Sequence, residues 1–166
     1  HPKKYSKIIM RKNYWRKTPY FGCWGWATNK KNWSQYSYVI SETFQNKLKQ
    51  SHSFSKLSKT SQKVWTGRFE KVILNPLKTW DFQFQHFLFR EELKVYAPVI
   101  TLSTNQGFED FKATNTKSKR PQWVAKNLNF VTIPHKLIKS KLANRILIEI
   151  DKSTFAFDNF LSQLSL

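Results

Sequence analysis

Aromatic residues recur along this chain at the spacing of helix faces, and that pattern constrains the fold more than any other feature. Val64, Trp65, Phe69, Val72 and Ile73 fall on one side of a helix that begins near Ser61. Asn75-Pro76 ends it, because proline lacks the N–H that a continuing helix needs. Asp81 opens a further amphipathic stretch with Phe84, Phe87 and Leu88 on one side. With 16% aromatic and 40% hydrophobic residues among 166, the chain can bury a core and is too apolar for a disordered tail.

The other segments carry weaker signals. Thr28 reads as the cap of a short helix bearing Trp33 and Tyr36, and Ser41 as the cap of another, with Glu42 in its first turn and Phe44 and Leu48 on one face. His52 to Thr60 reads as a Ser/Lys-rich connection. Leu93 to Ser103 has β-type residues broken by Pro98, as two short strands or one kinked strand. Asn105 to Lys119 is polar and loop-like. Lys136 to Ile150 has helical periodicity through Leu137, Leu142, Ile146 and Ile150, and Ser153 to Leu166 suits a final helix through Phe157, Phe160 and Leu164. No repeat and no Gly/Pro/Ser linker divides the chain.

Several classes are excluded or disfavoured. No apolar run approaches the roughly 18–20 residues that span a bilayer. The start, His1-Pro2-Lys3-Lys4, is basic and no apolar stretch follows it, so a signal peptide is not expected. A first residue other than Met suggests either a removed leader or, the reading favoured here, a chain that begins inside a longer reading frame. Cys23 is the single cysteine, which rules out an internal disulfide and makes a cytoplasmic location the default expectation. Four glycines nearly forbid a P-loop or a Gly-rich dinucleotide turn, and the histidines at 1, 52, 86 and 135 are too scattered for a local metal motif. The net charge of +19 attracts polyanions, although a compositional drift towards lysine produces part of such a charge without any function.

Three groups could carry chemistry. Asp81 follows Trp80 at the start of a helix. It suits first of all an N-cap, worth about 1 kcal/mol, and secondly a general base that accepts a proton from a sugar hydroxyl beside an indole wall. Trp24-Gly25-Trp26 could stack on sugar rings through its indole faces, glycine letting the backbone approach, or pack into a core. Glu109-Asp110 lies in a polar loop, where paired acids either hold a metal through oxygen ligands or are simply solvated. Glu149-Ile150-Asp151 is a weaker acidic pair within a helical run and is set aside.

Taken in order, these pieces resemble a known family. Cys23-Trp24-Gly25-Trp26-Ala27-Thr28, with Trp33 and Tyr36, is similar to the WGWATWxxAWxxYD segment of bacterial family-two-like nucleotide-diphospho-sugar transferases. Thr79-Trp80-Asp81-Phe82-Gln83-Phe84 resembles that family's TWDYQW. Pro98, Leu102, Ser103, Asn105, Gly107 and Phe108 follow its PxVNLVSNIGF, and Ala113-Thr114-Asn115-Thr116 its ATHT. Each block alone is weak; four in the family's order over about residues 20–120 are more specific.

The resemblance implies an α/β fold: the acceptor-side, C-terminal half of a GT-A glycosyltransferase, helix-rich with a few short strands. It implies one incomplete domain over 1–166, made of a basic segment 1–20, a family-like region 21–120 and a helical extension 121–166. Asp81 would be the catalytic base, with Trp24, Gly25, Trp26, Trp80, Asn105 and Gly107 at the substrate. Glu109 and Asp110 are metal candidates, with Mg or Mn expected for the complete enzyme. The implied partners are a nucleotide-sugar donor and a glycan or lipid-linked acceptor, as in polysaccharide biosynthesis, with peripheral contact to the inner face of an anionic membrane. The sequence departs from the family in two places. Only about 20 basic residues precede the Trp24 block, where the family places its nucleotide-binding half, so a fragment or a degenerate protein that lost its donor site is expected; and Asn115 stands where the family has His, which weakens metal binding there. A basic, aromatic-rich nucleic-acid-binding module is the alternative.

Overall fold

The computed structural model describes residues 14–99, 102–108, 110, 112, 136–139, 141–143 and 145–149. They form a mixed α/β structure, rich in helix with a few short strands. Two compact units interleave in sequence. The larger gathers described residues from Lys17–Phe21, Thr28–Tyr96 and Lys139–Leu166, and the smaller those from His1–Arg16, Gly22–Ala27 and Ala97–Ile138.

The larger unit is helical. Helix α1 spans Lys30–Gln35, α2 Glu42–Gln50, α3 His52–Ser55, α4 Lys59–Leu74 and α5 Asp81–Arg90, with a 3-10 turn at Pro76–Lys78. Side-chain caps fix where they start. Asn29, one residue beyond the expected Thr28, accepts from Asn32 N–H at 2.8 Å. Ser41 caps α2 as expected, accepting from Phe44 N–H. Ser58 caps α4 through Ser61 N–H, so that helix begins ahead of the expected Ser61. Each such cap contributes about 1 kcal/mol by satisfying an orphan N–H. The stretch expected as a connection holds α3, because Ser51 both accepts from Phe54 N–H and donates to the Phe89 carbonyl at 2.6 Å.

The core joins Leu48, Phe54, Leu57, Trp65, Phe69 and Phe89, with Tyr20 and Phe82 packed against it. On α4 the expected face is confirmed at Trp65, Phe69 and Val72, all buried. Helix α5 departs from the amphipathic expectation. It packs against α2, α3 and α4, and every residue from Gln83 to Arg90 is buried. Several of its polar groups are held by specific partners. Gln85 accepts from Phe21 N–H at 2.6 Å and donates to the Pro19 carbonyl, and Gln83 donates to the Pro76 carbonyl. The Arg90 guanidinium lies 3.5 Å over the Phe44 ring and bonds Glu91 at 2.9 Å. Bonds from Lys47 and Arg90 outweigh burial and hold Glu91 below the usual carboxylate range.

The C-terminal part of the described chain corrects a second expectation. Lys136–Leu137 is a strand, not the start of a helix; helical residues are 141–143 and 145–149. Ala143 and Leu147 are buried there while Leu142 is exposed, so the inward face is offset from the expected one. Ile150 and the helix expected over 153–166 lie outside the described residues.

Three short strands, β1 (Tyr14–Thr18), β2 (Val95–Pro98) and β3 (Lys136–Leu137), form one sheet in the order β2-β1-β3. β1 and β3 run parallel, pairing Tyr14 with Lys136 and Trp15 with Leu137. Pro98 is the last residue of β2, which lies at the edge of the described sheet, where a missing N–H is tolerated. In the smaller unit Gln106–Phe108 makes a 3-10 turn.

Candidate functional site

In the larger unit, the start of α5 gathers the residues best suited to chemistry. Asp81 is the first helical residue, not the N-cap: Trp80 occupies the cap position and makes no side-chain cap bond. The Asp81 carboxylate is therefore not spent on a cap. It sits where the exposed N–H groups of a first helical turn favour negative charge. Its Oδ1 accepts from the Thr79 hydroxyl.

Two phenols pin the backbone ahead of this carboxylate. Tyr36 donates to the Trp80 carbonyl at 3.3 Å and Tyr38 to the Thr79 carbonyl at 3.0 Å. Burial, then Tyr38, then Asp81 push the Tyr36 phenol up to about 12, so it remains a donor across the ordinary range. Burial pulls Arg68 below its usual value, against the opposing influence of Asp81 and Tyr20. Its guanidinium lies 4.8 Å over Trp65 and 5.1 Å over Phe82. Arg68, a cation held by aromatic faces, and the neutral Tyr36 phenol both sense the charge of Asp81.

Phe84, one turn into α5, is the hub of an aromatic cluster. Phe21 packs on it at 4.9 Å, Tyr36 at 5.3 Å, Trp33 at 6.2 Å and Trp80 at 6.5 Å between centroids. Trp33 stacks on Tyr36 at 5.2 Å, and Phe21 meets Trp80 edge-on. Phe84 is sealed, whereas Trp33 and Trp80 are 49% and 37% exposed. The result is a rigid base with two open indoles beside a part-exposed carboxylate. Such an arrangement can hold an apolar ring face while a carboxylate takes a proton from its hydroxyl.

The smaller unit brings together two other blocks. Ser103 Oγ donates to the Trp24 carbonyl at 3.0 Å, and Trp24 meets Phe108 edge-on at 6.2 Å. Gly25 adopts φ +68°, a conformation that favours glycine, and a Cβ there would stand 3.4 Å from Ser103 Cβ. Trp24 and Gly25 are exposed and Trp26 is half-buried. Asn105 Oδ1 accepts from Gly107 N–H at 2.9 Å, which makes it a turn-former with that oxygen engaged. Asp110 Oδ1 accepts from Lys112 N–H at 2.9 Å. Glu109, the other half of the expected metal pair, and Ala113 to Thr116 lie outside the described residues. Among the described residues no three of His, Cys, Asp and Glu stand close enough to hold a metal ion.

Sequence reasoning missed Thr79 and Arg68 as partners of Asp81, and Tyr38 as an anchor of the backbone ahead of it. Thr79 stands two residues before Asp81, and its hydroxyl spacing was visible. Tyr38 and Arg68 are far from Asp81 in sequence and carry no local signal. Phe84 was identified as a core residue, but not as the hub beneath Trp33 and Trp80. Among the described residues no helix is long and apolar enough to cross a membrane.

Comparison of the chain with family models, with curated proteins and with solved structures gives no match.

Proposed function

We propose that this chain is the acceptor-side part of a sugar-transferring enzyme of GT-A type, in which Asp81 is the general base. The reading is supported by one observation above all. Asp81 stays partly open at the start of α5, uncommitted to capping, beside the exposed indole of Trp80 and over a backbone pinned by two phenols.

In the proposed reaction an acceptor hydroxyl lies against Asp81, its ring on Trp80 or Trp33. The hydroxyl oxygen attacks the anomeric carbon of the donor sugar as its proton passes to the Asp81 carboxylate. The bond from the anomeric carbon to the nucleoside diphosphate breaks and its electron pair leaves with the diphosphate. Thr79 holds one carboxylate oxygen by hydrogen bond, which orients the other towards the proton. General-base catalysis of this kind is worth about 10²–10⁴-fold. The divalent metal belongs, in this reading, with the donor-binding half rather than with Asp81. The glycan or lipid-linked nature of the acceptor follows from the resemblance.

The test is Asp81→Asn in the full-length protein, assayed with a panel of nucleotide-sugars. Transfer is expected to fall by about 10²–10⁴-fold, with an unchanged melting curve. Near-normal turnover removes Asp81 from the mechanism. The alternative, binding of nucleic acid, draws on the net charge of +19. It is less well supported, because much of the aromatic surface that would stack bases is packed into the α4–α5 core. Affinity for single-stranded DNA that collapses with added salt would favour it.

A further inference from the structure

We propose that the corner between α4 and α5 is a docking surface for an anionic lipid bilayer. The inference does not depend on sugar transfer. Leu74 ends α4 and Leu77 lies in the following 3-10 turn, and each is 86% exposed. Single exposed leucines are ordinary; two at one turn, both almost wholly in water, form an apolar projection that calls for a partner.

The projection is held, not slack. Asn75 N–H donates to the Lys71 carbonyl at 3.1 Å and Lys78 N–H to the Asn75 carbonyl at 3.3 Å. The buried Gln83 side chain donates to the Pro76 carbonyl at 2.8 Å, anchoring the turn between the leucines to the core. Tyr38 donates to the Thr79 carbonyl just beyond Lys78. The residue after Tyr38, Val39, is 62% exposed.

Charge selects the occupant. Lys71 and Lys78 bracket the leucines, both are exposed, and neither makes an ion pair among the described residues. Glu70 and Asp81 are the acids nearest in sequence, set against a chain of net charge +19. Nucleic acid would satisfy the lysines and leave both leucines in water. An anionic bilayer satisfies both, with phosphates at the lysines and acyl chains at the leucines.

The test is co-sedimentation of the whole chain with vesicles of equal parts phosphatidylglycerol and phosphatidylcholine, against vesicles of phosphatidylcholine alone. The chain is expected to pellet with the mixed vesicles and to stay in solution with the neutral ones. The pair Leu74→Ser and Leu77→Ser should lower partition by about tenfold or more, and Lys71→Glu with Lys78→Glu by about tenfold. Leu142→Ser, at another exposed leucine, should change nothing; thermal melts check that each variant folds. Full vesicle binding by the double leucine variant overturns the proposal, as does equal loss in Leu142→Ser. Retention by single-stranded DNA without binding to vesicles assigns the corner to nucleic acid and also overturns it. Self-association that the leucine substitutions abolish, with no vesicle binding, assigns it to a second copy instead.

Discussion

The two ends of α5 carry opposite charges and meet opposite surroundings. At the N-terminal end Asp81 is part-exposed, near solvent and two phenols. At the C-terminal end Arg90 is buried and is held by Glu91 and the Phe44 ring. Between them His86 is wholly buried against Phe69 at 4.9 Å, and among the described residues neither of its ring nitrogens has a hydrogen-bond partner. The difference is instructive. A charge in a packed interior must be matched on the spot, as Arg90 is, or neutralised, as His86 is. A charge at an open helix start needs neither, and so remains available for chemistry.

The sharpest way to break this contrast is Asp81→Asn. If the open end is reactive and structurally dispensable, transfer falls by about 10²–10⁴-fold while stability holds. A variant that unfolds would instead make Asp81 a structural group like Arg90. The next effect belongs to the closed part of the helix. Phe87 is fully buried, and Phe87→Ala should cost about 3–5 kcal/mol in a denaturant titration, through lost burial and the cavity left behind.

His86 sharpens the comparison through pH. Burial first, and Arg90 second, lower it from 6.5 to about 4. Because the unfolded chain takes up this proton before the folded chain does, the contribution is whole above pH 6.5 and is lost as pH falls towards 4. The loss should approach about 3 kcal/mol, read from melts across that range. His86→Phe should flatten this part of the profile; an unchanged slope would place the acid sensitivity elsewhere. The smallest effect is expected at Thr79→Val, which removes the hydroxyl that orients Asp81. About a tenfold loss of transfer, with a stability change near 1 kcal/mol or less, would fit one lost hydrogen bond. Equal rates would show that Asp81 orients itself.

Some of this was legible in the sequence. Ser41 announced α2, Asn75-Pro76 announced the end of α4, and the spacing of Trp65, Phe69 and Val72 announced its inward face. These signals act within one or two helical turns. The misplaced cap at Thr28 has the same local origin, since Thr28 and Asn29 compete for one role and the asparagine takes it. The expected helix from Lys136 failed for a different reason. Its first residues pair with Tyr14 and Trp15, and a partner so distant in sequence overrides local periodicity.

At the candidate site, Asp81 and Trp80 were visible because the carboxylate falls at a helix start beside an indole. Whether Asp81 capped that helix was not visible, because cap and first-turn positions differ by one residue and accept the same side chain. Tyr36, Tyr38 and Arg68 reach Asp81 or the backbone around it only after α1, α4 and α5 have packed.

By itself, then, the order of residues determined where the main helices start and stop, and which aromatic faces were available for burial. Caps, proline and helical spacing act over a few residues and need no fold to operate. Tertiary structure alone decided that α5 would be enclosed from Gln83 onward while Asp81 stayed part-exposed and Leu77 stayed in water. Exposure is a property of neighbours brought from elsewhere in the chain, and no local pattern can specify it.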